Sequence, residues 1–336
     1  MKVYEVQKGS ASLDGLRRAE RPDPQPGPSQ VLIRVRAASL NYRDHMIVTG
    51  RYFTPVSRDT IPLSDGAGEV AATGPGVTRF RTGDRVAGTF FQVWSDGPAA
   101  RRYPALGVPL DGTLAEYIVL QEDGVVAIPP SLSYEEAATL PCAGVTAWNA
   151  LMVAGKPLKP GDTVLCLGTG GVSMLALQFA KAAGARVIVT SSSDRKIQRA
   201  LELGAWAGIN YKNHADWEKE VEWLTGGRGV EHIIEIGGAG TLDHSYRAIA
   251  FGGKVALIGF LAGMESSNNP ATLMLKGGSL EGIAVGSTAM FESMNRAIQV
   301  NRIRPVVDRV YPFERAADAF GALASGDFVG KLVIAV

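Results

Sequence analysis

A glycine-rich turn between a strand and a helix constrains this sequence more than any other feature. Residues 163–168 read TVLCLG, a short apolar run typical of a buried strand, and the turn itself is GTGGVS (168–173), here called the glycine loop. A stretch through FAKAAG follows and ends at Gly184, which predicts a helix. Glycines at such a junction let backbone N–H groups approach a pyrophosphate at the positive end of the helix. The loop therefore predicts a dinucleotide site; the alternative is a glycine turn in another kind of α/β domain.

Strand and helix patterns alternate from about residue 130 onward. Amphipathic stretches at 194–203, near 216–224 and near 241–250 predict helices between the strands. The six apolar strand candidates are TVLCLG, VIVT, INY, EHIIEIGG, KVALIG and LEGIAVGS. Crossover helices must cover both faces of a parallel sheet, so this order predicts an α/β fold with a doubly wound, six-stranded parallel sheet.

The first 125 or so residues show a different pattern, of short strands between turns. VLIRVRAAS (31–39) alternates apolar and basic residues as a half-buried strand does, and a short helix is predicted at 42–48. A chain of 336 residues has room for about two domains, so we expect a β-rich domain before the α/β domain. The last segment, 311–336, predicts one helix and one strand, and the sequence leaves open which domain that strand completes.

The end of the second predicted strand of the α/β domain distinguishes between cofactors. Residues 187–196 read VIVTSSSDRK, with Thr190 and three serines where a carboxylate would accept from the ribose hydroxyls of NAD. Arg195 and Lys196 supply positive charge, and Asp194 is expected to cap the next helix. A charge-assisted bond to phosphate is about twice as strong as a neutral one, so the sequence favours NADPH over NADH. The alternative is that Arg195 and Lys196 only coat a solvated helix.

Charge balance and apolar runs exclude several classes of partner. Lys plus Arg (34) nearly equals Asp plus Glu (33), so we expect no nucleic-acid partner. No run approaches the ~18 apolar residues of a membrane span, and the first residues contain no signal-peptide core. Two cysteines, Cys142 and Cys166, are too few for a disulfide framework and suit a reducing compartment. We therefore expect a cytoplasmic protein without a membrane partner.

These segments, in this order, resemble the medium-chain dehydrogenase/reductase superfamily over nearly the whole chain, and its zinc-independent, quinone oxidoreductase-like branch in particular. The motifs that support the resemblance are VLIRVRAASLNYRD (31–44), GAGEV (66–70), GDRVAG (83–88), LAEYIVL (114–120), AATLPCAGVTAWNAL (137–151), the glycine loop and FVGKLVI (328–334). The resemblance implies a GroES-like β-rich domain at 1–127, completed by 300–336, a Rossmann domain at 128–299, and a cleft for NADPH between the two. It also implies a homodimer through the edge strand LEGIAVGS (280–287), since an exposed apolar edge needs a partner.

Departures from the family pattern bear on metal chemistry. Zinc alcohol dehydrogenases of this superfamily have a cysteine where this chain has Asn41 and a His-Glu pair where it has Ser64-Asp65; only Cys142 is kept. Catalytic zinc needs three protein ligands. The four-cysteine lobe that holds structural zinc has no counterpart in a chain with two cysteines. We therefore expect no bound metal, with Cys142 as a small packed residue.

Three residues in the segment 41–53 are candidates for the chemistry. Without a metal, hydrogen-bond donors must stabilise the negative charge that hydride addition leaves on the substrate oxygen. The resemblance implies that Asn41 lies near the nicotinamide as a neutral donor. Tyr52 is a donor or proton source, or else an aromatic lid that only shapes the pocket. Asp44 is a structural anchor or part of a proton relay.

The resemblance also implies cofactor contacts along the second half of the chain. Ser192, Lys196 and Tyr211 match positions that hold the 2′-phosphate in relatives that use NADPH, and Val285 and Lys331 match positions that line the nicotinamide and phosphate sides. The alternatives are that Tyr211 is an ordinary strand aromatic and Lys331 a surface charge. The remaining expected contacts are Thr146, Gly168, Gly170, Gly171, Val172, Gly237, Gly259 and Phe260.

Three functions are compatible with these residues. The first is a zinc-independent, NADPH-dependent oxidoreductase that transfers a hydride to a small electrophile, namely a quinone, an α,β-unsaturated carbonyl or a simple carbonyl. The second is an alcohol dehydrogenase of the same superfamily that oxidises a small alcohol. The third is an NADPH-binding sensor or structural protein without fast turnover. The departures at the zinc positions favour the first.

Overall fold

The computed structural model of this chain describes residues 1–99, 103–265 and 268–336. The strands in these residues are β1 (Lys2–Val6), β2 (Leu16–Glu20), β3 (Gln30–Ser39), β4 (Asp65–Thr73), β5 (Arg85–Gly88), β6 (Tyr117–Gln121), β7 (Val125–Ala127), β8 (Thr163–Leu167), β9 (Arg186–Ser191), β10 (Ala207–Asn210), β11 (Val230–Glu235), β12 (Ile249–Leu257), β13 (Ser279–Gly282), β14 (Val307–Pro312) and β15 (Lys331–Ala335). The α-helices are α1 (Tyr42–Val48), α2 (Tyr134–Ala137), α3 (Val145–Trp148), α4 (Gly171–Ala182), α5 (Asp194–Glu202), α6 (Trp217–Leu224), α7 (Leu242–Ala248), α8 (Ala271–Leu275), α9 (Thr288–Asn301) and α10 (Ala316–Ser325). Two π-helical turns, Leu140–Gly144 and Asn149–Val153, flank α3.

The described residues divide into two compact units. The first unit contains Met1–Val145 and Gly286–Val336, and the second contains Thr146–Val285. The domain boundaries predicted from the sequence, after residues 127 and 299, fall inside the first unit. Helix α9 belongs to the first unit, where Asn295 Nδ2 donates to the Ala127 carbonyl oxygen at 3.0 Å.

The second unit contains a six-stranded sheet in the order β10-β9-β8-β11-β12-β13. Every neighbouring pair in it is parallel. Leu165, Ile188 and Ile233 of three adjacent strands pack in one core with Trp217 of α6 and Tyr246 of α7. Since these strands alternate with α4 to α7 along the chain, the predicted Rossmann-type α/β fold is confirmed.

The edge strand of this sheet is shorter than predicted. β13 ends at Gly282 and does not continue to residue 287. Val285 has a φ of +58°, in the left-handed region that a β-branched residue rarely adopts and that no extended strand contains. Its carbonyl oxygen accepts a hydrogen bond from Asn149 Nδ2 at 2.7 Å, which fixes this conformation.

The first unit is built on a seven-stranded sheet in the order β14-β15-β3-β4-β5-β7, with β6 paired to β3. The last strand, β15, runs antiparallel to β3, with Val333 opposite Ser39. The C-terminal strand therefore completes the β-rich GroES-like part of the fold. Helix α1 follows β3 directly and spans the predicted residues, and Ile47 packs in a core with Phe320 of α10 and Ile334 of β15. None of the helices in the described part of the chain combines the length and apolar character that a membrane crossing requires.

Candidate cofactor and reaction sites

The glycine loop connects β8 to α4 in the second unit. Gly168 has a φ of +74°, a conformation that favours glycine, and its N–H donates to Thr190 Oγ1 at 3.3 Å. Ser173 Oγ donates to the Leu167 carbonyl oxygen at 2.7 Å. A Cβ on Gly170, the N-cap of α4, would meet no atom within 4 Å. The loop thus presents open backbone at a helix N-terminus, which suits a phosphate group.

The residues predicted to hold a 2′-phosphate lie at one edge of the same sheet. Ser191 at the end of β9 is paired with Asn210 of β10, and the Tyr211 N–H donates to the Ser191 carbonyl oxygen at 3.1 Å. Ser192 follows directly, and Lys196 lies in the first turn of α5. The structure therefore brings Ser192, Lys196 and Tyr211 to the carboxyl ends of two adjacent strands, where open α/β sheets bind ligands.

Asp194 does not cap α5, contrary to the prediction. The N-cap position falls on Ser193, because Asp194 is already the first residue of the helix. Asp194 Oδ1 instead accepts a hydrogen bond from Asn210 Nδ2 at 2.7 Å. The carboxylate thus joins β10 to α5, and it lies near the positive end of the helix.

A buried carboxylate that the sequence analysis missed organises the turn after β11. Glu235 accepts from the N–H groups of Gly237 (2.8 Å) and Gly238 (3.1 Å), and from the hydroxyls of Thr241 (2.6 Å) and Ser245 (2.5 Å). A Cβ on Gly237 would lie 2.3 Å from Thr241 Oγ1. The turn is therefore held by hydrogen bonds to a buried side chain, that of Glu235. The sequence signal that could have identified this carboxylate is a glutamate, Glu235, inside the largely apolar run EHIIEIGG.

The other predicted cofactor contacts of the second unit differ in exposure. Thr146 and Val285 are buried, whereas Phe260 is 45% exposed. Gly259 lies close to the backbone of Ile236, since a Cβ there would be 2.8 Å from the Ile236 carbonyl oxygen. Of these four residues, Phe260 offers the largest free surface to a ligand.

Side chains from four segments meet in the first unit and form what we call the Asn41 cluster, which consists of Asn41, Ser64, Asp65, Cys142 and Lys331. The Lys331 ammonium donates to the Leu40 carbonyl oxygen and to Asn41 Oδ1, the latter at 2.5 Å, and lies 4.0 Å from Asp65 Oδ2. Asp65 accepts from Ser64 Oγ at 2.7 Å and from the Cys142 N–H at 3.1 Å. The Lys331 side chain is 5% exposed, so it is not the surface charge considered above.

The Asn41 cluster does not fit a catalytic zinc ion. Asp65 and Cys142 are its only side chains of the kinds that usually bind zinc. Burial, with the nearby charge of Asp65, raises the pKa of the Cys142 thiol to about 12, so the thiol is neutral near pH 7. Lys331 adds positive charge beside these groups. Across the described ranges, no group of three or more His, Cys, Asp or Glu side chains is placed to hold a metal ion.

Tyr52 is held by a nearly buried arginine. Arg43 Nε donates to the Tyr52 oxygen at 3.3 Å, and the guanidinium lies 4.9 Å from the Tyr52 ring centroid and 4.8 Å from that of Phe90. Its other N–H groups donate to the carbonyl oxygens of Leu106 (2.9 Å) and Val108 (3.4 Å). Since a guanidinium can only donate, the Tyr52 oxygen is the acceptor in this bond, and the Tyr52 O–H keeps its capacity to donate.

Asp44 is fully buried at the start of α1. Its Oδ2 accepts from the Asn41 N–H at 2.7 Å, which is the anchoring contact considered above. Its Oδ1 lies 3.9 Å from Arg43 Nη1 and accepts no hydrogen bond within the described residues. Burial raises the pKa of Asp44 to about 6, although the charge of Arg43 acts in the opposite direction.

Comparisons with known proteins cover the whole chain. The model of the alcohol dehydrogenase GroES-like domain matches residues 27–130, and that of the zinc-binding dehydrogenase family matches residues 171–300. A zinc-type alcohol dehydrogenase-like protein of Schizosaccharomyces pombe is 42% identical over 99% of both chains. A quinone oxidoreductase of Sus scrofa is 30% identical over 93% of this chain and 90% of its own.

A solved structure gives the same result. A protein of Sinorhizobium meliloti 1021, described as a candidate alcohol dehydrogenase, superimposes with a TM-score of 0.94 at 43% identity, over 100% of this chain and 98% of its own. The two matched domains occur in the order that the resemblance implied. This chain is therefore an oxidoreductase and belongs to the medium-chain dehydrogenase/reductase superfamily.

Proposed function

We propose that this oxidoreductase is a metal-free, NADPH-dependent reductase of a quinone, an α,β-unsaturated carbonyl or a simple carbonyl. The observation that supports it most is the Lys331 ammonium inside the Asn41 cluster, 2.5 Å from Asn41 Oδ1 and 4.0 Å from Asp65 Oδ2. By the family resemblance, Asn41, Ser64-Asp65 and Cys142 stand where zinc alcohol dehydrogenases place their metal ligands. A cationic side chain among them repels a second cation.

The second unit supplies the groups for the cofactor. The open backbone of the glycine loop and the N-terminus of α4 suit a pyrophosphate. Ser192, Lys196 and Tyr211, without a carboxylate at the end of β9, suit a 2′-phosphate. Bound NADPH supplies the hydride.

The first unit supplies neutral donors for the substrate. When hydride adds to the electrophilic carbon of a carbonyl or an enone, or to one oxygen of a quinone, the displaced π electron pair ends on a substrate oxygen as an alkoxide, an enolate or a hydroquinone anion, respectively. Asn41 Nδ2 and the Tyr52 O–H donate to that oxygen as its charge develops. A proton from water then completes the alcohol, the saturated carbonyl compound or the hydroquinone.

The alcohol dehydrogenase activity is the second candidate. The similarity to the zinc-type alcohol dehydrogenase-like protein of Schizosaccharomyces pombe favours it. Steady-state assays in both directions, with benzoquinone, 2-cyclohexen-1-one, butanal and a panel of small secondary alcohols, separate the two candidates by their kcat/KM values.

One experiment tests the metal-free proposal directly. The metal content of the purified chain is measured by mass spectrometry, and the reduction of the three acceptors is followed with and without 1,10-phenanthroline. We expect full activity with the chelator and far less than one zinc ion per chain. A transition metal bound in a 1:1 ratio and required for turnover contradicts the proposal. Tight NADPH binding without turnover of any acceptor indicates instead a sensor or structural protein.

We further propose a homodimer through the edge of the sheet in the second unit. β13 is paired on one side only, with β12, within the described residues. Exposed apolar side chains lie on β13 and on the neighbouring elements β12 and α8; they are Leu280, Phe251, Met274 and Leu275. Light scattering is expected to give a dimer mass for the wild type and a lower mass for Leu280→Lys. A monomeric wild type contradicts this proposal.

We place the protein in the cytoplasm, with a small electrophile rather than a nucleic acid or a membrane as its partner. Both cysteines, Cys142 and Cys166, are free thiols, as a reducing compartment allows. The balance of 34 basic and 33 acidic residues gives no electrostatic attraction to nucleic acid or anionic lipid. Fractionation of the native cells, with detection of the chain by antibody, tests the location.

A further inference from the structure

Lys331 is the first residue of the apolar strand β15, and its ammonium contacts hydrogen-bond acceptors. An ammonium has three donors and no acceptor. The Leu40 carbonyl oxygen and Asn41 Oδ1 take two of these donors, and the Asp65 carboxylate lies 4.0 Å away. Asp65 is itself fully buried and held by Ser64 and Cys142. The position of the ammonium is therefore fixed by at least three groups.

This contact determines which end of the Asn41 amide faces outward. Because Lys331 can only donate, Oδ1 must face it and Nδ2 must point to the other side. The only acceptor that the described residues offer to Nδ2 is Ser64 Oγ, at the long distance of 3.5 Å. The Asn41 side chain is partly exposed, so its NH₂ group retains donor capacity for a ligand.

Without Lys331, this orientation would be favoured only by the capping-box contact between the Asn41 side chain and the Asp44 backbone N–H, which falls short of a full hydrogen bond. The terminal torsion of asparagine is broad and roughly two-fold, so an amide turned by 180° is a ready alternative. The turned amide would present Oδ1, an acceptor, to an oxygen on which negative charge develops. The same residue would then raise the barrier that its donor end lowers.

We propose that Lys331 is a positioning residue, which fixes the Asn41 amide so that only its donor group faces the substrate oxygen. This inference rests on the proposed reductase function and deepens it. It differs from the cofactor contact that the family resemblance implies for Lys331, because a phosphate contact would act on NADPH affinity and this role acts on the chemical step.

A double-mutant cycle tests the proposal. Lys331→Met, Asn41→Ala and the double variant are assayed for the reduction of benzoquinone and 2-cyclohexen-1-one. We expect Lys331→Met to lower kcat about 10- to 100-fold, since small misplacements of a catalytic group cost up to that much. Adding Lys331→Met to Asn41→Ala is expected to lower kcat by less than about threefold more, because the two residues act through one donor. The Kd of NADPH, measured by fluorescence, is expected to change by less than about threefold.

The proposal is overturned if the two substitutions lower kcat independently, so that the loss in the double variant equals the product of the losses in Lys331→Met and Asn41→Ala. A rise of about tenfold or more in the NADPH Kd with unchanged kcat also overturns it, and assigns Lys331 to the cofactor. Lys331→Gln is the second variant if Lys331→Met does not fold; its amide NH₂ group can still donate to Asn41 Oδ1, so we expect a smaller loss of kcat than for Asn41→Ala. No recovery relative to Asn41→Ala in a folded Lys331→Gln contradicts the proposal.

A matched control comes from the other unit. Lys254 is also buried, and its ammonium donates to three carbonyl oxygens, those of Ala150, Ala154 and Lys156, at 2.6–2.7 Å. Lys254→Met is expected to lower the melting temperature, as loss of a buried ammonium should, and to leave kcat unchanged well below that temperature. Its effects and those of Asn41→Ala should be independent. Equal coupling of both lysines to Asn41 would show a general loss of structure and overturn the proposal.

A spectroscopic measurement separates this inference from the proposed function. The side-chain ¹⁵N amide signal of Asn41 is assigned by its absence in Asn41→Ala. We expect this signal to shift in Lys331→Met and to stay unchanged in Lys254→Met, whether or not any acceptor is turned over. An unshifted signal in Lys331→Met overturns the positioning role, whereas a shifted signal in a protein without turnover means that only the proposed function has failed.

Discussion

The second unit presents its candidate nucleotide site mainly through backbone groups of nearly consecutive residues, whereas the first unit assembles the Asn41 cluster from side chains of four separate segments. The glycine loop spans residues 168–173, and its N–H groups do not depend on the identity of a side chain. In the Asn41 cluster, Lys331 and Asn41 are 290 positions apart and make a side-chain contact. Substitutions at the candidate nucleotide site of the second unit should therefore change cofactor affinity and cofactor choice. Substitutions in the Asn41 cluster of the first unit should change the rate.

The largest expected effect is in the Asn41 cluster. Asn41→Ala removes a donor to the developing oxyanion and is expected to lower kcat by about 10²- to 10³-fold. The Kd of NADPH should hardly change, because the glycine loop and the residues proposed to hold the 2′-phosphate lie in the second unit. Steady-state kinetics and fluorescence titration measure the two quantities. Asn301→Ala, which removes a similar amide from the exposed end of α9, is the control. A loss of affinity without a loss of rate would remove the contrast between the two sites.

The next effect is on cofactor choice. Lys196→Ala is expected to weaken NADPH binding by about tenfold or more, which corresponds to a free energy of about 1.4 kcal/mol, and to leave NADH binding almost unchanged. The Kd values of both cofactors are measured by fluorescence titration. Lys219→Ala, on the exposed face of α6 and paired with Asp216, is the matched control. Equal losses for both cofactors would contradict the assignment of Lys196 to the 2′-phosphate.

A smaller effect concerns the pH dependence of stability. Since the pKa of Asp44 is raised to about 6 by burial, the folded chain keeps a proton that the unfolded chain has lost between about pH 4 and 6. The contribution of this group to the free energy of unfolding therefore falls as the pH rises through that window and is constant above it. Urea unfolding of Asp44→Asn and of the wild type should show a difference that moves in favour of Asp44→Asn over this range. A difference independent of pH would mean that Asp44 is not buried as described.

The smallest effect is chemical modification of the cysteines. Burial raises the pKa of Cys142 to about 12 and raises that of Cys166 as well, so neither thiol should be a nucleophile near pH 8. Mass spectrometry after brief treatment with iodoacetamide is expected to find both thiols unmodified in the folded chain and both modified in urea. Rapid modification of Cys142 in the folded chain would indicate an activated thiol in the Asn41 cluster.

The sequence determined the elements whose signals are local. The glycine loop, the bounds of α1 and the order of strands and helices in the second unit each depend on periodicity or turn residues within a few positions, so they were predictable without a structure. The absence of a carboxylate at the end of β9, which favours NADPH, is equally local. Asp194 shows the limit of such signals: the helix begins at the predicted residue 194, but Asp194 is its first residue and the N-cap is Ser193.

Only the tertiary structure decided the polar partners. Pairing of β15 with β3 brings Lys331 beside Asn41, and folding of the first unit places Arg43 behind Tyr52. The left-handed backbone conformation of Val285, beyond the end of β13, likewise involves a distant partner. Its carbonyl oxygen accepts a hydrogen bond from Asn149, 136 positions away in the sequence. A buried polar group must find a partner, but the sequence pattern shows only that it is buried and not which distant segment supplies that partner. For this reason the glycine loop could be predicted from the sequence, whereas the orientation of the Asn41 amide could be determined only from the tertiary structure.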